Sequence, residues 1–216
     1  MLKIWGRRSS FNVQKVLWLA GELALQYEHV PAGGSYGLLD QPDFLAMNPH
    51  GWVPVIEDDD GTVVWESHSI LRYLAAKYGG EAFWPADPGV RSQADRWMDW
   101  SLSSLQPAFL PGLFWGFYRT PEALRDQASI EKNIARCSQY FQLLDKVLDG
   151  QGFITGDKLS LADIPAGTCL YRYYELDIPR PDVPNVEAWY ERLRARASYR
   201  EHVMIPFDEL FGRLDF

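Results

Sequence analysis

Residues 1–80 switch between the period of a strand and the period of a helix, whereas the rest of the chain keeps the helical period alone. No other feature restricts the fold as much, because it separates an α/β layer from an all-helical one within a single chain. Leu2 to Trp5 is a short apolar run ending at Gly6, after which Val13, Val16, Leu17 and Ala20 recur at helical spacing up to Gly21. Tyr27 to Val30 is a second strand closed by Pro31, followed by the turn-rich Ala32 to Gly37 and a brief helix through Phe44 and Met47. Val53 to Ile56 and Thr62 to Trp65 flank an Asp-rich turn with Gly61 and read as an antiparallel hairpin. Ile70, Leu71, Leu74, Ala75 and Tyr78 then make an apolar helical stripe that stops at Gly79 and Gly80. The order β-α-β-α-β-β-α is that of a thioredoxin-like domain.

The expected organisation is therefore a thioredoxin-like domain over 1–80, a Pro-containing linker over 81–89 and an all-α helical bundle domain over 90–216. In the second domain Arg91 to Leu105 is helical, Pro107 to Pro111 reads as a break, and Pro121 introduces a long helix with Ile130, Cys137, Phe141, Leu144 and Leu148 on one face. Ser160 to Leu176 and Val186 to Arg196 read as two more helices. Composition narrows the function classes. A net charge of -8 disfavours a nucleic-acid partner, whose phosphates require clustered Lys and Arg. No stretch approaches the roughly 20 apolar residues of a membrane span, and no secretory signal precedes the first strand, so a cytoplasmic location is expected. The two cysteines, Cys137 and Cys169, lie outside any metal-ligand spacing, and no metal is expected.

Three segments carry residue types that suit an anionic ligand. Gly6 to Val13 joins the first strand to the first helix, and its Ser9, Ser10 and Asn12 either cap that helix or offer donors to a ligand. Asn48-Pro49-His50-Gly51-Trp52-Val53-Pro54 puts a proline where a strand begins. That makes Pro54 either an edge-strand proline or the site of a cis peptide, which would turn the backbone of Val53 toward a ligand. Glu66-Ser67 joins the last strand to a helix, with Ser67 placed to cap it. A helix start of this kind also receives a carboxylate.

Taken together, these segments resemble the soluble glutathione transferases, of the bacterial theta-like type with a serine at the first helix. Ser10, the Asn48-Pro49-x-Gly51-x-Val53-Pro54 run and Glu66-Ser67 occur in that family's order, and Ile154 to Ile164 resembles its C-terminal-domain capping motif, with Ser160 and Asp163 at capping-box spacing. The resemblance implies that glutathione is the co-substrate, held by Val53, Pro54, Glu66 and Ser67. It implies that the thiol is activated by Ser10, Asn12 or Ser9, in that order of preference. It also implies a small hydrophobic electrophile against aromatic residues, for which Phe11, Phe114, Trp115 and Tyr118 are the candidates beside Phe109, Leu113, Phe117, Phe207 and Phe211. A homodimer is expected on the same ground. Trp52 departs from the family, many of whose members have a polar or basic residue there, and its neutral indole cannot form an ion pair with a carboxylate. No cysteine lies near the first helix, so thiol exchange through an enzyme sulfur is not expected. The alternatives are other glutathione chemistry (peroxidase, isomerase or dehalogenase) and a non-catalytic binding protein that keeps the fold.

Overall fold

A computed structural model describes residues 1–214, and in it the alternation of the first third becomes a mixed four-stranded sheet. Strand β1 (Leu2–Trp5) leads through helix α1 (Phe11–Glu22) to β2 (Tyr27–Val30), which lies parallel to β1 as a crossover connection requires. A short α2 (Pro42–Met47) precedes the hairpin of β3 (Val55–Glu57) and β4 (Val63–Trp65), whose strands pair antiparallel to each other and, through β3, to β1. The strand order is β2-β1-β3-β4. Helix α3 (Ser67–Tyr78) follows the last strand directly. The third strand starts two residues later than the sequence suggests, because Pro54 cannot donate to a ladder and stands just before it.

Helix α1 is buried all round its middle, from Val13 to Ala20, and packs against α3, whose Ile70, Leu71 and Leu74 are buried, as are Ile4 and Ile56 of the sheet. A smaller cluster of Ala32, Phe44 and Val55 gathers Trp5, Leu39, Met47, Val53 and Trp65. The hairpin turn is tied to α3 by one carboxylate. Asp58 accepts hydrogen bonds from Tyr73 Oη at 2.7 Å, Tyr78 Oη at 2.7 Å and Lys77 Nζ at 2.9 Å. Burial works against the Asp58 charge, but these donors outweigh it and hold the carboxyl below its ordinary range. Asp59 and Asp60 also bond Lys77, at 3.2 and 2.9 Å, so the three adjacent carboxylates form an ion-pair network around one ammonium.

The chain divides into two compact units, Met1–Trp84 with Ser198–Ile205, and Pro85–Ala197 with 206–214. A one-turn helix α4 (Gly80–Phe83) occupies part of the stretch read as a linker. In the second unit Asp87 caps α5 (Pro88–Trp100) by accepting from Val90 N at 2.9 Å. The expected break at Pro107 to Pro111 is absent. The helix runs on through π-helical turns at Ser101–Leu105 and Ala108–Arg119, with Pro107 in helical conformation and Pro111 inside. The wider i to i+5 ladder, closed by Thr120 N to Trp115 O at 2.8 Å, relieves the clash with the preceding turn that stops an α-helix at proline. The long helix likewise starts later than Pro121: α6 (Gln127–Val147) is capped by Asp126, which accepts from Ser129 N at 3.0 Å. Helices α7 (Asp163–Glu175), α8 (Pro184–Arg194) and α9 (Ala197–His202) follow. Ser198–Ile205, read from sequence as part of the helical domain, packs with the first unit, where Tyr199 meets Trp18 edge-on at 4.8 Å.

Helix α7 is the core helix of the second unit, buried from Asp163 to Leu170. Its first residue, the fully buried Asp163, accepts from Ile154 N, Ser160 N, Ser160 Oγ and Trp189 Nε1 at 2.9 to 3.1 Å. Burial pushes this carboxyl up to about 6 despite those donors. The capping box is realised in one direction: Asp163 reaches back to Ser160 N, whereas Ser160 Oγ receives Ala162 N at 3.3 Å. Among the described residues, no helix is long and apolar enough to cross a membrane.

Candidate functional site

The first segment of the site is the turn from β1 into α1. Ser10 is the N-cap of α1 in extended conformation, yet its side chain makes no capping hydrogen bond. Its backbone is engaged, with Ser10 N on Arg7 O and Gln14 N on Ser10 O, both at 3.0 Å. No acidic side chain occupies the first turn, so the positive end of the helix dipole is uncompensated there. Ser9 is buried and Ser10 half-buried, while Asn12 Oδ1 accepts from Lys15 Nζ at 3.0 Å.

The second segment adjoins the first through Gly6. A β-carbon at Gly6 would overlap the Val13 side chain and lie 3.3 Å from Val53 Cβ, and the Gly6 φ of +147° also favours glycine. This close approach places the Val53-Pro54 turn against the start of α1. The Val53-Pro54 peptide is cis. The turn before it is shaped by the buried Asn48, whose Nδ2 donates to Trp52 O at 2.9 Å and whose Oδ1 accepts from His50 N at 3.1 Å. Among the described residues the loop hydrogen bonds include none to the Val53 N–H or C=O. Trp52 projects outward at 72% exposure, and His50 packs edge-on to Trp65 at 5.2 Å.

The third segment is the head of α3. Glu66, not Ser67, is the N-cap; Ser67 is the first helical residue and is buried. Glu66 adopts φ 70° and ψ 117°, a left-handed-side conformation unusual for a residue with a β-carbon. Its side chain is exposed and makes no capping hydrogen bond. This head is joined to α1 inside the unit, because Lys15 Nζ lies 3.2 Å from Nε2 of the buried His68. Burial first, then the charges of Lys15 and Arg72, lower the His68 pKa to about 2. The three segments that the sequence singled out are thus brought together in one unit: Val53 meets the start of α1 at Gly6, and Ser67 follows through His68 and Lys15. Sequence reasoning missed Lys15 and His68. The available signal was a lysine in a helix with Phe11, Trp18 and Leu19 one turn away on its own face.

Residues 5–82 match the family described as "Glutathione S-transferase, N-terminal domain", and residues 107–197 match "Glutathione S-transferase, C-terminal domain". Glutathione S-transferase GstB of Escherichia coli (strain K12) is 40% identical over 207 residues, which cover 95% of this chain and 99% of that protein. The chain belongs to the glutathione S-transferase family. Another member, Glutathione S-transferase 3 of Zea mays, is 31% identical over 94% of this chain and 93% of its own length. Among solved glutathione S-transferases, the theta class enzyme of Xanthomonas axonopodis pv. citri with glutathione bound superposes with a TM-score of 0.89 at 41% identity, over 95% of this chain and 98% of that one. The mixed sheet of the first unit is accordingly the thioredoxin-like domain of a glutathione S-transferase, and the second unit is its helical domain.

In that helical domain the aromatic candidates separate into two groups. Phe114 is fully buried and stacks on Tyr118 at 5.3 Å, and Phe207 meets both, at 5.5 and 5.0 Å. Phe211 adds an exposed edge 5.2 Å from Tyr118, and the Arg172 guanidinium lies over Phe114 at 4.9 Å. Trp115 is apart from this cluster, exposed, with Arg119 4.9 Å from its ring. Phe109 and Leu113 are interior, Phe109 lying 6.3 Å from Tyr173. Phe117 is half-buried under Arg125 at 5.0 Å. Phe11 differs from the expectation of a substrate-facing ring: it is buried in the first unit, 4.9 Å from Lys15 Nζ.

Proposed function

We propose that this protein is a glutathione transferase whose first unit binds glutathione and holds its thiol ionised beside Ser10 for attack on an apolar electrophile. The observation that carries this reading is the Ser10 hydroxyl: it stands at a helix N-terminus free of acidic residues and leaves the cap unmade. An N-cap serine normally spends its hydroxyl on the helix. Here the hydroxyl remains available to a sulfur. Val53 offers its backbone to the cysteinyl unit, Pro54 sets that turn, and the head of α3 receives the γ-glutamyl group, with Glu66 toward its ammonium and Ser67 toward its carboxylate. Asn12 and Ser9 are the further donors at the thiol corner.

A thiol of pKa about 8.5 is only a few per cent ionised at neutral pH. One hydrogen bond to the charged form, worth about 1.5–3 kcal/mol, moves that pKa by roughly one to two units. The electrophile is flat and apolar, received by Tyr118 and the exposed Phe211, which the buried Phe114 and Phe207 support from behind, with Trp115 a further surface for it. The protein acts as a homodimer in the cytoplasm, in detoxification. Assay of wild type and Ser10→Ala with a chromogenic aryl electrophile tests the central claim. The expected result is a fall in kcat/KM of about 10- to 100-fold with a matching rise in the bound-thiol pKa. An unchanged rate and pKa would remove Ser10 from the mechanism, and light scattering of a monomer would remove the dimer.

A further inference from the structure

Lys15 has no exposed surface. Its ammonium donates to Asn12 Oδ1 at 3.0 Å, lies 3.2 Å from His68 Nε2 and sits 4.9 Å from the Phe11 ring centroid. Removing an ammonium from water costs several kcal/mol unless acceptors are arranged for it. His68 serves as an acceptor only through an unprotonated Nε2, which places the proton of the neutral ring on Nδ1. That Nδ1 is itself buried without a hydrogen-bond partner among the described residues. A histidine held in this way is a fixed, neutral prop. At the other end, engagement of the Asn12 oxygen by Lys15 sets which way the amide is turned, since the Asn12 nitrogen can only donate.

We propose that Lys15 is a positioning residue for thiol activation: anchored on His68, it turns the Asn12 amide so that N–H groups face the sulfur, and its buried charge adds to the potential that keeps the thiolate. The inference rests on the reading of Ser9, Ser10 and Asn12 as the sulfur corner. The charged and titratable groups around Lys15 favour it. The first turn of α1 contains no acid, the preceding loop supplies Arg7 and Arg8, and the facing α3 supplies neutral His68 and cationic Arg72. The geometry also explains a tie between the heads of α1 and α3: one ammonium couples the corner assigned to the sulfur to the turn assigned to the γ-glutamyl group.

The test is the pKa of the bound thiol, read from thiolate absorbance against pH, in wild type, Lys15→Met and Lys15→Gln, with melting curves for each. Lys15→Met removes both charge and donor and is expected to raise the pKa by about one unit, a tenfold loss of thiolate at pH values below it. Lys15→Gln keeps a donor for Asn12 and is expected to lie between the two. A folded Lys15→Met protein with the wild-type thiol pKa overturns the proposal. Should both variants unfold, the wild-type protein labelled on asparagine nitrogen decides: Asn12 Nδ2 resonances should differ between complexes with glutathione and S-methylglutathione, and superimposable resonances overturn it. A wild-type protein that leaves the thiol pKa at its free value defeats the functional reading itself, whereas a lowered wild-type pKa that ignores Lys15 defeats only this inference.

Discussion

At the scale of single residues, His68 makes stability depend on pH in a calculable direction. Its folded pKa lies at about 2 against an ordinary 6.5, lowered by burial and then by Lys15 and Arg72. Between those values the unfolded chain takes up a proton that the native protein refuses, so the contribution is complete above 6.5 and drains away as pH falls. The slope reaches about 1.4 kcal/mol per pH unit once the unfolded histidine is charged. His68→Asn retains an acceptor for Lys15 but no titration in this range, and its stability curve from urea denaturation should be flatter between about pH 6 and pH 4. Parallel curves for the two proteins would mean that the native ring is already protonated. The same scale shows what was legible. Ser10 could be placed at the start of α1 from sequence because a hydroxyl between a strand and a helix occupies a defined position in the chain. Lys15 and His68 could not be paired that way, since 53 residues separate them. The unusual φ of Glu66 was equally hidden, because sequence records which residue follows β4 and not the dihedral into which α3 forces it.

Among the elements, the hairpin and α3 depend on each other through Asp58. Its nearly inaccessible carboxylate receives two tyrosine hydroxyls and an ammonium from α3 and also Asp59 N at 2.8 Å. Asp58→Ala strands those donors and should cost about 2–4 kcal/mol in urea denaturation. A loss no larger than that of an exposed carboxylate would show that the network is ornamental. Because α3 begins at Ser67, loosening this clamp should also weaken glutathione binding, measured by calorimetry, without altering any residue placed against the ligand. The elements themselves were largely readable, the hairpin from its Gly-containing turn and α1 and α3 from their apolar periods. The passage through Pro107 and Pro111 was not. Proline carries a local signal for a break, and whether the neighbouring turns widen to absorb it depends on what the helix packs against. Here the π-helical run is pressed so close to α6 that a β-carbon on Gly112 would stand 2.5 Å from Asn133 Oδ1.

For the whole molecule, the least foreseeable arrangement is the return of Ser198–Ile205 to the first unit. Tyr199 is fully buried against Trp18, and Ser198 and His202 approach Gly21 closely enough that a β-carbon there would lie 2.9 Å from Ser198 Cβ and 3.2 Å from His202 Nε2. Tyr199→Ala should therefore cost about 3–5 kcal/mol and accelerate amide exchange in α1, although the two are remote in sequence. Exchange that quickened only in the neighbourhood of α9 would contradict this. The sequence by itself determined the two-part architecture, the order of elements and the three segments of the candidate site, because hydrophobic period, turn chemistry and helix-start residues act over a few neighbouring positions. Only the tertiary structure decided which side chains hold those segments together, where the late segment packs and how a helix crosses its prolines. Each of those outcomes depends on burial and on partners brought from distant parts of the chain, and a local pattern holds no record of either.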